Sequence, residues 1–107
     1  MKGINLLFIC SRNQWRSPTG EKVYSQKGFS TRSAGTSPNA KRTVSVKDIQ
    51  WATHIFVMEK KHKQRLVAKF TRLVEHKNIV VLDIPDEYQF MDDELISILE
   101  SSVEHHL

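Results

Sequence analysis

The sequence has a single cysteine and no long apolar run, and both features exclude some classes of protein. Cys10 is the single cysteine among 107 residues, so neither an internal disulfide nor a four-cysteine zinc site can form. The longest apolar stretches, residues 4–10 and 79–84, are too short to cross a bilayer, and no basic-then-apolar leader opens the chain. We therefore expect a cytoplasmic protein with no membrane partner, in which any importance of Cys10 comes from its own thiol.

The composition fits one compact domain over residues 1–107, because 39% hydrophobic and 26% charged content is ordinary for a globular chain of this length. It shows no internal repeat and no linker. The oligomeric state is not predicted by these features.

Positive charge is in excess, with a net charge of +4, and much of it lies in one segment. The cations of that segment are Lys60, Lys61, Lys63, Arg65, Lys69 and Arg72. They indicate attraction to phosphate esters, acidic proteins or nucleic acid. The alternative is a solvated helix face, which is favoured by an apolar stripe at helical spacing made of Leu66, Val67, Phe70, Leu73 and Val74. No interleaved aromatic signature accompanies the cations, so we expect no nucleic-acid partner.

Apolar runs and helical patterns alternate along the chain. The β-branched and apolar runs predict strands at residues 4–10, 29–34, 54–58 and 79–82. The amphipathic segments predict helices at residues 17–26, 42–51, 59–76 and 92–103. Such alternation indicates an open parallel α/β sheet, in which ligands bind at the carboxyl ends of the strands. Cys10 and Asp86 follow two of those ends.

The segment with the clearest chemistry is Cys10-Ser11-Arg12-Asn13-Gln14-Trp15-Arg16-Ser17, which joins a predicted strand to a predicted helix. A loop of this length can turn several backbone N–H groups inward, and the helix N-terminus adds partial positive charge, so the two form a cradle for phosphate oxygens. Arg16 can fork onto two of those oxygens. The same environment favours the thiolate of Cys10, to which Ser17 can donate a hydrogen bond. A lone cysteine can instead be a small buried hydrophobe, but the arginine, the serine and the strand-loop-helix context favour a nucleophile.

This segment resembles the phosphate-binding loop of the low-molecular-weight protein tyrosine phosphatases, which reads Cys-x-Gly-Asn-x-Cys-Arg-Ser-Pro after an apolar strand. The agreeing residues are Cys10, Asn13, Arg16, Ser17 and Pro18. Further similar segments lie at residues 33–36, 41–48, 58–59 and 83–88, so the resemblance covers most of residues 4–90. It implies a three-layer α/β sandwich with a central four-stranded parallel sheet, in a shortened bacterial branch of predicted tyrosine phosphatases.

The resemblance also implies roles for individual residues. Asp86 is the expected general acid and base, beside Cys10 and Arg16 as catalytic residues. Tyr88 is the expected aromatic wall next to a phosphotyrosine ring. The loop residues expected to bind phosphate are Ser11, Arg12, Asn13, Gln14, Trp15, Arg16 and Ser17. Support of the loop is expected from Asn13, Ser17, Ser33 and Asn39, the last of which aligns with a supporting histidine of the family.

Two departures from the family pattern bear on the site. Arg12 replaces the loop glycine and predicts a more cationic cleft. Trp15 replaces the second cysteine, so Cys10 has no internal thiol with which to form a protective disulfide.

The function predicted from these features is hydrolysis of phosphate monoesters, above all protein phosphotyrosine, through a cysteinyl-phosphate. The expected partners are a phosphorylated protein or a small phosphate ester, and a phosphate or sulfate ion is expected to occupy the loop. An inactive phosphate- or phosphoprotein-binding module is an alternative, and so is an arsenate reductase that uses an external thiol. We expect no metal and no organic cofactor, because His54, His62 and His76 lack a ligand spacing and fit core or surface positions.

Overall fold

The computed structural model describes residues 3–107 and contains one four-stranded parallel sheet in the order β2-β1-β3-β4. The strands are β1 (Asn5–Cys10), β2 (Ser30–Gly35), β3 (His54–Val57) and β4 (Ile79–Val81). The helices are α1 (Arg16–Gln26), α2 (Val46–Trp51), α3 (Lys60–Lys69), α4 (Thr71–Val74) and α5 (Asp93–Val103), and a 3₁₀ turn covers Glu104–His106. The predicted alternation of strands and helices is confirmed.

Helices cover both faces of the sheet, because the side chains of a strand alternate between its two faces. On one face, Leu6, Phe8 and Cys10 of β1 pack in a core with α1 and α5. On the other face, Leu7 and Ile9 pack in a second core with α2, α3 and α4. The result is the predicted three-layer sandwich, with β1 buried at its centre.

Helix α1 lies very close to the sheet at Gly20. A Cβ atom added there would lie 2.6 Å from Cδ1 of Phe8, a distance that the existing packing does not allow. The absence of a side chain at Gly20 therefore lets α1 approach β1. This approach sets the first turn of α1, with Arg16 and Ser17, beside the end of β1 that carries Cys10.

The segment predicted to be helical at residues 42–51 is helical only from Val46 onward, so that prediction is corrected. Ser45 caps the helix by accepting a hydrogen bond from the N–H of Asp48, and the Asp48 side chain accepts one from the N–H of Ser45. Before the cap, Thr43 bridges to Gly35 in parallel. These contacts hold the preceding residues extended and fix the start of the helix.

The helix predicted over residues 59–76 is interrupted, which is a second correction. At Phe70 the backbone leaves the helical region, with φ −121° and ψ 36°, and α3 ends and α4 begins there. Of the predicted apolar stripe, Leu66, Phe70 and Val74 are buried, whereas Val67 is 41% exposed. Within residues 3–107, no helix has the length and apolar character that crossing a membrane requires.

Candidate active site

A pocket of about 400 Å³ lies at the carboxyl end of β1. The loop between β1 and α1 forms most of its wall, and Asp86, from the loop after β4, forms the opposite side. The residues that line it are Cys10, Ser11, Arg12, Gln14, Trp15, Arg16 and Asp86. Parallel strands bring these loops together, because their carboxyl ends meet at one edge of the sheet.

The backbone of this loop offers unpaired donors. Within the described part of the chain, no backbone N–H group of residues 11–15 donates a hydrogen bond to a protein acceptor. Asn13 has a left-handed backbone, with φ 56°, a conformation that asparagine tolerates better than most residues. Consecutive free N–H groups ahead of a helix N-terminus suit an oxyanion, which can accept several of them at once.

A chain of hydrogen bonds ends on the sulfur of Cys10. Oγ of Ser17 lies 2.9 Å from Sγ of Cys10 and accepts a bond from Nδ2 of Asn13 at 3.0 Å. The same Nδ2 donates to Oγ of Ser33 at 2.9 Å, and Ser33 donates to Glu21 at 2.6 Å. The single hydrogen of the Ser17 hydroxyl has two acceptors within reach, the Cys10 sulfur at 2.9 Å and the carbonyl oxygen of Ala34 at 3.4 Å, and a thiolate at the shorter distance attracts it more strongly. The predicted support residues Asn13, Ser17 and Ser33 thus meet behind Cys10.

The guanidinium of Arg16 is buried and held by one of its nitrogens. Nη1 donates to Oε2 of Glu59 at 2.6 Å and to the carbonyl oxygen of Ile84 at 2.7 Å. These bonds occupy both hydrogens of Nη1 and leave the edge formed by Nε and Nη2 for a bidentate contact with an oxyanion. Nε lies 3.7 Å from Oδ1 of Asp86, within ion-pair distance.

Glu59 and His62 are the site residues that sequence reasoning missed. The His62 ring is buried, which agrees with a core position, and it also contacts the loop. Its Nε2 lies 2.8 Å from Oγ of Ser11, and its Nδ1 accepts the N–H of Glu59 at 3.0 Å. Burial, reinforced by the charge of Arg16, lowers the pKa of His62 to about 4. Burial raises the pKa of Glu59. The hydrogen bond from Arg16 and the positive charge of Arg16 outweigh this effect and hold the pKa of Glu59 below its usual range. The sequence signal was the i, i+3 spacing of these residues after β3, which fits a capping box.

Five predicted site residues do not line the pocket: Asn13, Ser17 and Ser33 lie behind Cys10, and the other two are Tyr88 and Asn39. Tyr88 is half-buried against the core shared by α1 and α5 and does not line the pocket. Asn39 is exposed, and its backbone N–H donates to Oγ of Ser37, whereas its side chain makes no hydrogen bond to the phosphate-binding loop. The aromatic residue at the mouth of the pocket is Trp15, which is 39% exposed.

No cluster of three or more His, Cys, Asp or Glu side chains within residues 3–107 is arranged to hold a metal ion. The polar groups at the pocket include the thiol of Cys10, the guanidinium groups of Arg12 and Arg16, and the carboxylate of Asp86.

Solved structures with a similar fold are known. No protein-family model and no curated protein matches the chain. Among solved structures, the YwlE arginine phosphatase from Geobacillus stearothermophilus is similar, with 23% identity, a TM-score of 0.75, and coverage of 96% of this chain and 92% of that one. The tyrosine phosphatase Wzb from Escherichia coli K30, solved with phosphate, has 18% identity and a TM-score of 0.76 over 95% of this chain and 94% of its own.

A third solved structure, the low-molecular-weight protein tyrosine phosphatase from T. tengcongensis, shares 18% identity and a TM-score of 0.76, with coverage of 96% of this chain and 99% of that one. At such identities the likeness concerns the fold, and each comparison spans nearly the whole of both chains. The chain adopts the fold of the low-molecular-weight protein tyrosine phosphatases.

Proposed function

We propose that this protein is a cysteine-dependent phosphatase that hydrolyses phosphate monoesters. The observation that carries the proposal is that Cys10, Arg16 and Asp86 line one pocket, together with a loop whose backbone N–H groups lack protein acceptors. A nucleophile, an anion clamp and a proton donor are the groups that this hydrolysis needs. Cys10 is a free thiol, which suits the reducing cytoplasm, and we place the enzyme there.

In the first step, the thiolate of Cys10 attacks the phosphorus and the bond from phosphorus to the ester oxygen breaks. The protonated carboxyl of Asp86 gives its proton to the leaving oxygen, so that a neutral alcohol or phenol departs. The Nε–Nη2 edge of Arg16 and the loop N–H groups hold the non-bridging oxygens and stabilise the charge that develops on them. The product of this step is a cysteinyl-phosphate.

In the second step, the carboxylate of Asp86 takes a proton from water as the water oxygen bonds to phosphorus. The sulfur–phosphorus bond breaks, inorganic phosphate leaves, and the thiolate of Cys10 returns. The Ser17 hydroxyl, 2.9 Å from the sulfur, donates to this thiolate and makes it a better leaving group. Asp86 is 60% exposed, so water can reach it.

The substrate that we propose is protein phosphotyrosine. Trp15 supports it, because an exposed indole at the pocket mouth can pack beside a phenol ring and favour an aromatic ester. Phosphoarginine is the second candidate, since a similar structure is that of an arginine phosphatase and an indole face also accepts a guanidinium. An arsenate reductase would need an external thiol, because Cys10 has no partner cysteine.

The test is hydrolysis of an activated aryl phosphate by the wild type and by Cys10→Ser, without added metal and with vanadate as inhibitor. We expect vanadate-sensitive turnover that falls more than about a thousandfold in the variant, which should still bind phosphate. Phosphotyrosine and phosphoarginine peptides of one sequence then separate the two substrates. A folded wild type that binds phosphate without turnover would instead identify an inactive binding module.

A further inference from the structure

Exposed cations surround one side of the phosphate pocket. Arg12 lines the pocket, and its carbonyl oxygen accepts the backbone N–H of Lys41 at 3.0 Å. Arg65 of α3 donates to Oγ1 of Thr36 at 3.3 Å, and the N–H of Thr36 donates to the carbonyl of Cys10 at 3.0 Å. Arg12, Lys41, Arg65 and the nearby Lys69 are exposed, and we call these four residues the cationic rim.

The charges of the cationic rim are not neutralised within the protein. No ion pair among the described residues involves Arg12, Lys41, Arg65 or Lys69. Glu59, the residue that precedes α3, is already paired with Arg16 at 2.6 Å. The cationic rim therefore presents unpaired positive charge beside a pocket suited to an anion, which attracts further negative charge on the same ligand.

An apolar groove of about 340 Å³ runs along α3 on the same side. Its floor is formed by Val44, Leu66, Ala68 and Phe70, and its edges carry Arg65 and Lys69. Thr36 also lines this groove, so the residue that bonds to the Cys10 carbonyl also borders the groove. The pocket and the groove are adjacent parts of one surface.

We propose that this surface docks an acidic protein segment whose phosphorylated side chain enters the pocket, and this inference rests on the proposed function. Asp and Glu residues of the segment face the cationic rim, and one apolar side chain of the segment fills the groove along α3. This apolar floor suits a peptide better than a nucleic acid, because its one aromatic residue, Phe70, is only 8% exposed and offers no open ring face for a base.

The experiment compares phosphotyrosine peptides of one sequence in which the flanking residues are Asp and Glu, Asn and Gln, or Lys, each with one leucine. Binding to Cys10→Ser is measured by fluorescence anisotropy, so the result does not depend on turnover. We expect the acidic peptide to bind about tenfold more tightly than the neutral one at low salt, and this preference to be largely lost in about 0.5 M salt.

Two variants test whether the cationic rim causes the preference for the acidic peptide. Arg65→Gln in the Cys10→Ser background should reduce the preference for the acidic peptide about threefold while leaving inorganic phosphate binding unchanged. Arg72→Gln removes the same charge from α4, which leads toward the amino-terminal end of β4, away from Cys10, and should leave the preference unaltered. In the Cys10-containing enzyme, neither change should alter turnover of a small aryl phosphate.

Several outcomes would overturn the docking surface. Equal affinity for the three peptides would do so, as would equal losses in Arg65→Gln and Arg72→Gln. Tighter binding of an oligonucleotide of matched charge would assign the surface to nucleic acid instead. The wild type could lack turnover and still prefer the acidic peptide, with that preference lost in Arg65→Gln. This result would contradict the phosphatase function and support the docking surface.

Discussion

His62 and Ser11 are joined side chain to side chain, with Nε2 2.8 Å from Oγ, and this contact ties the first turn of α3 to the phosphate-binding loop. Nδ1 accepts the N–H of Glu59, so the hydrogen of the neutral ring is on Nε2 and is donated to Ser11. Glu59 in turn holds Arg16. The start of α3 therefore braces the loop at both of its ends.

The neutral state of His62 makes folding stability depend on pH. Its pKa is lowered by burial from 6.5 to about 4, so between these values the unfolded chain binds a proton that the folded chain does not. Stability should therefore be full above pH 6.5 and fall as the pH drops toward 4, by up to about 3 kcal/mol. Urea unfolding at pH 7 and pH 5 measures this loss, and His62→Gln, which cannot titrate, should show much less of it. An equal loss in both proteins would contradict the assignment.

The bond between Ser11 and His62 should strengthen oxyanion binding. Ser11→Ala removes the acceptor of the imidazole N–H and frees the loop on that side, so we expect phosphate affinity to fall about threefold to tenfold. Calorimetric titration with phosphate measures this change, with the exposed Ser97→Ala as its control. The loss caused by Ser11→Ala should shrink in a His62→Phe background, because the partner is already gone. If Ser11→Ala reduced phosphate affinity equally in the wild-type and His62→Phe backgrounds, the two side chains would not be energetically coupled.

Substitutions at two glycines should have different effects, because Gly35 contacts the phosphate-binding loop whereas Gly20 contacts only the core. At Gly35 an added Cβ would lie 2.5 Å from the carbonyl oxygen of Ser11, whereas at Gly20 it would meet the ring of Phe8. Gly35→Ala should displace the loop backbone and weaken phosphate binding by about tenfold or more. Gly20→Ala should cost about 2–3 kcal/mol of unfolding free energy while the folded fraction still binds phosphate. Urea melts and phosphate titrations of both variants test this contrast, and normal phosphate affinity in Gly35→Ala would contradict it.

The role of Asp86 predicts a dependence on the leaving group. Asp86→Asn cannot donate a proton, so hydrolysis of an alkyl or unsubstituted phenyl phosphate should slow by about a hundredfold. An activated nitrophenyl ester departs without that proton and should slow less than about tenfold. Rates across a series of phenyl phosphates of graded acidity check this. Equal slowing across the series would remove Asp86 from the acid role.

Asp48 should be among the most sensitive carboxylates for stability. It is buried, pairs with Arg32 and Arg42, and caps α2. Burial raises its pKa, but hydrogen bonds from Arg42 and Ser45 outweigh this and keep the pKa below its usual range. Asp48→Asn should cost about 2–4 kcal/mol in urea unfolding, against less than about 0.5 kcal/mol for the exposed Asp93→Asn. A loss in Asp48→Asn as small as that in Asp93→Asn would show that the pairing is unimportant.

Local sequence patterns predicted the order of elements because each pattern is a local property. The apolar run of β1 and the amphipathic period of α5 each depend on residues a few positions apart, so both could be recognised without a partner. The same holds for the spacing from Cys10 to Arg16, which lies within one loop and its following helix turn. The predicted helices failed at Ser45 and Phe70, where capping and a packed side chain override propensity.

What the sequence by itself determined is the alternation of strands and helices and the loop that joins Cys10, Arg16 and Ser17, because these depend on neighbours along the chain. Only the tertiary structure decided that His62 contacts Ser11, which is 51 positions away. It also decided that Tyr88 packs, half-buried, against the core, while Trp15 lies at the mouth of the pocket. Such contacts depend on how the parallel strands bring separate loops to one edge of the sheet. No local sequence pattern predicts which residues of these separate loops will be in contact.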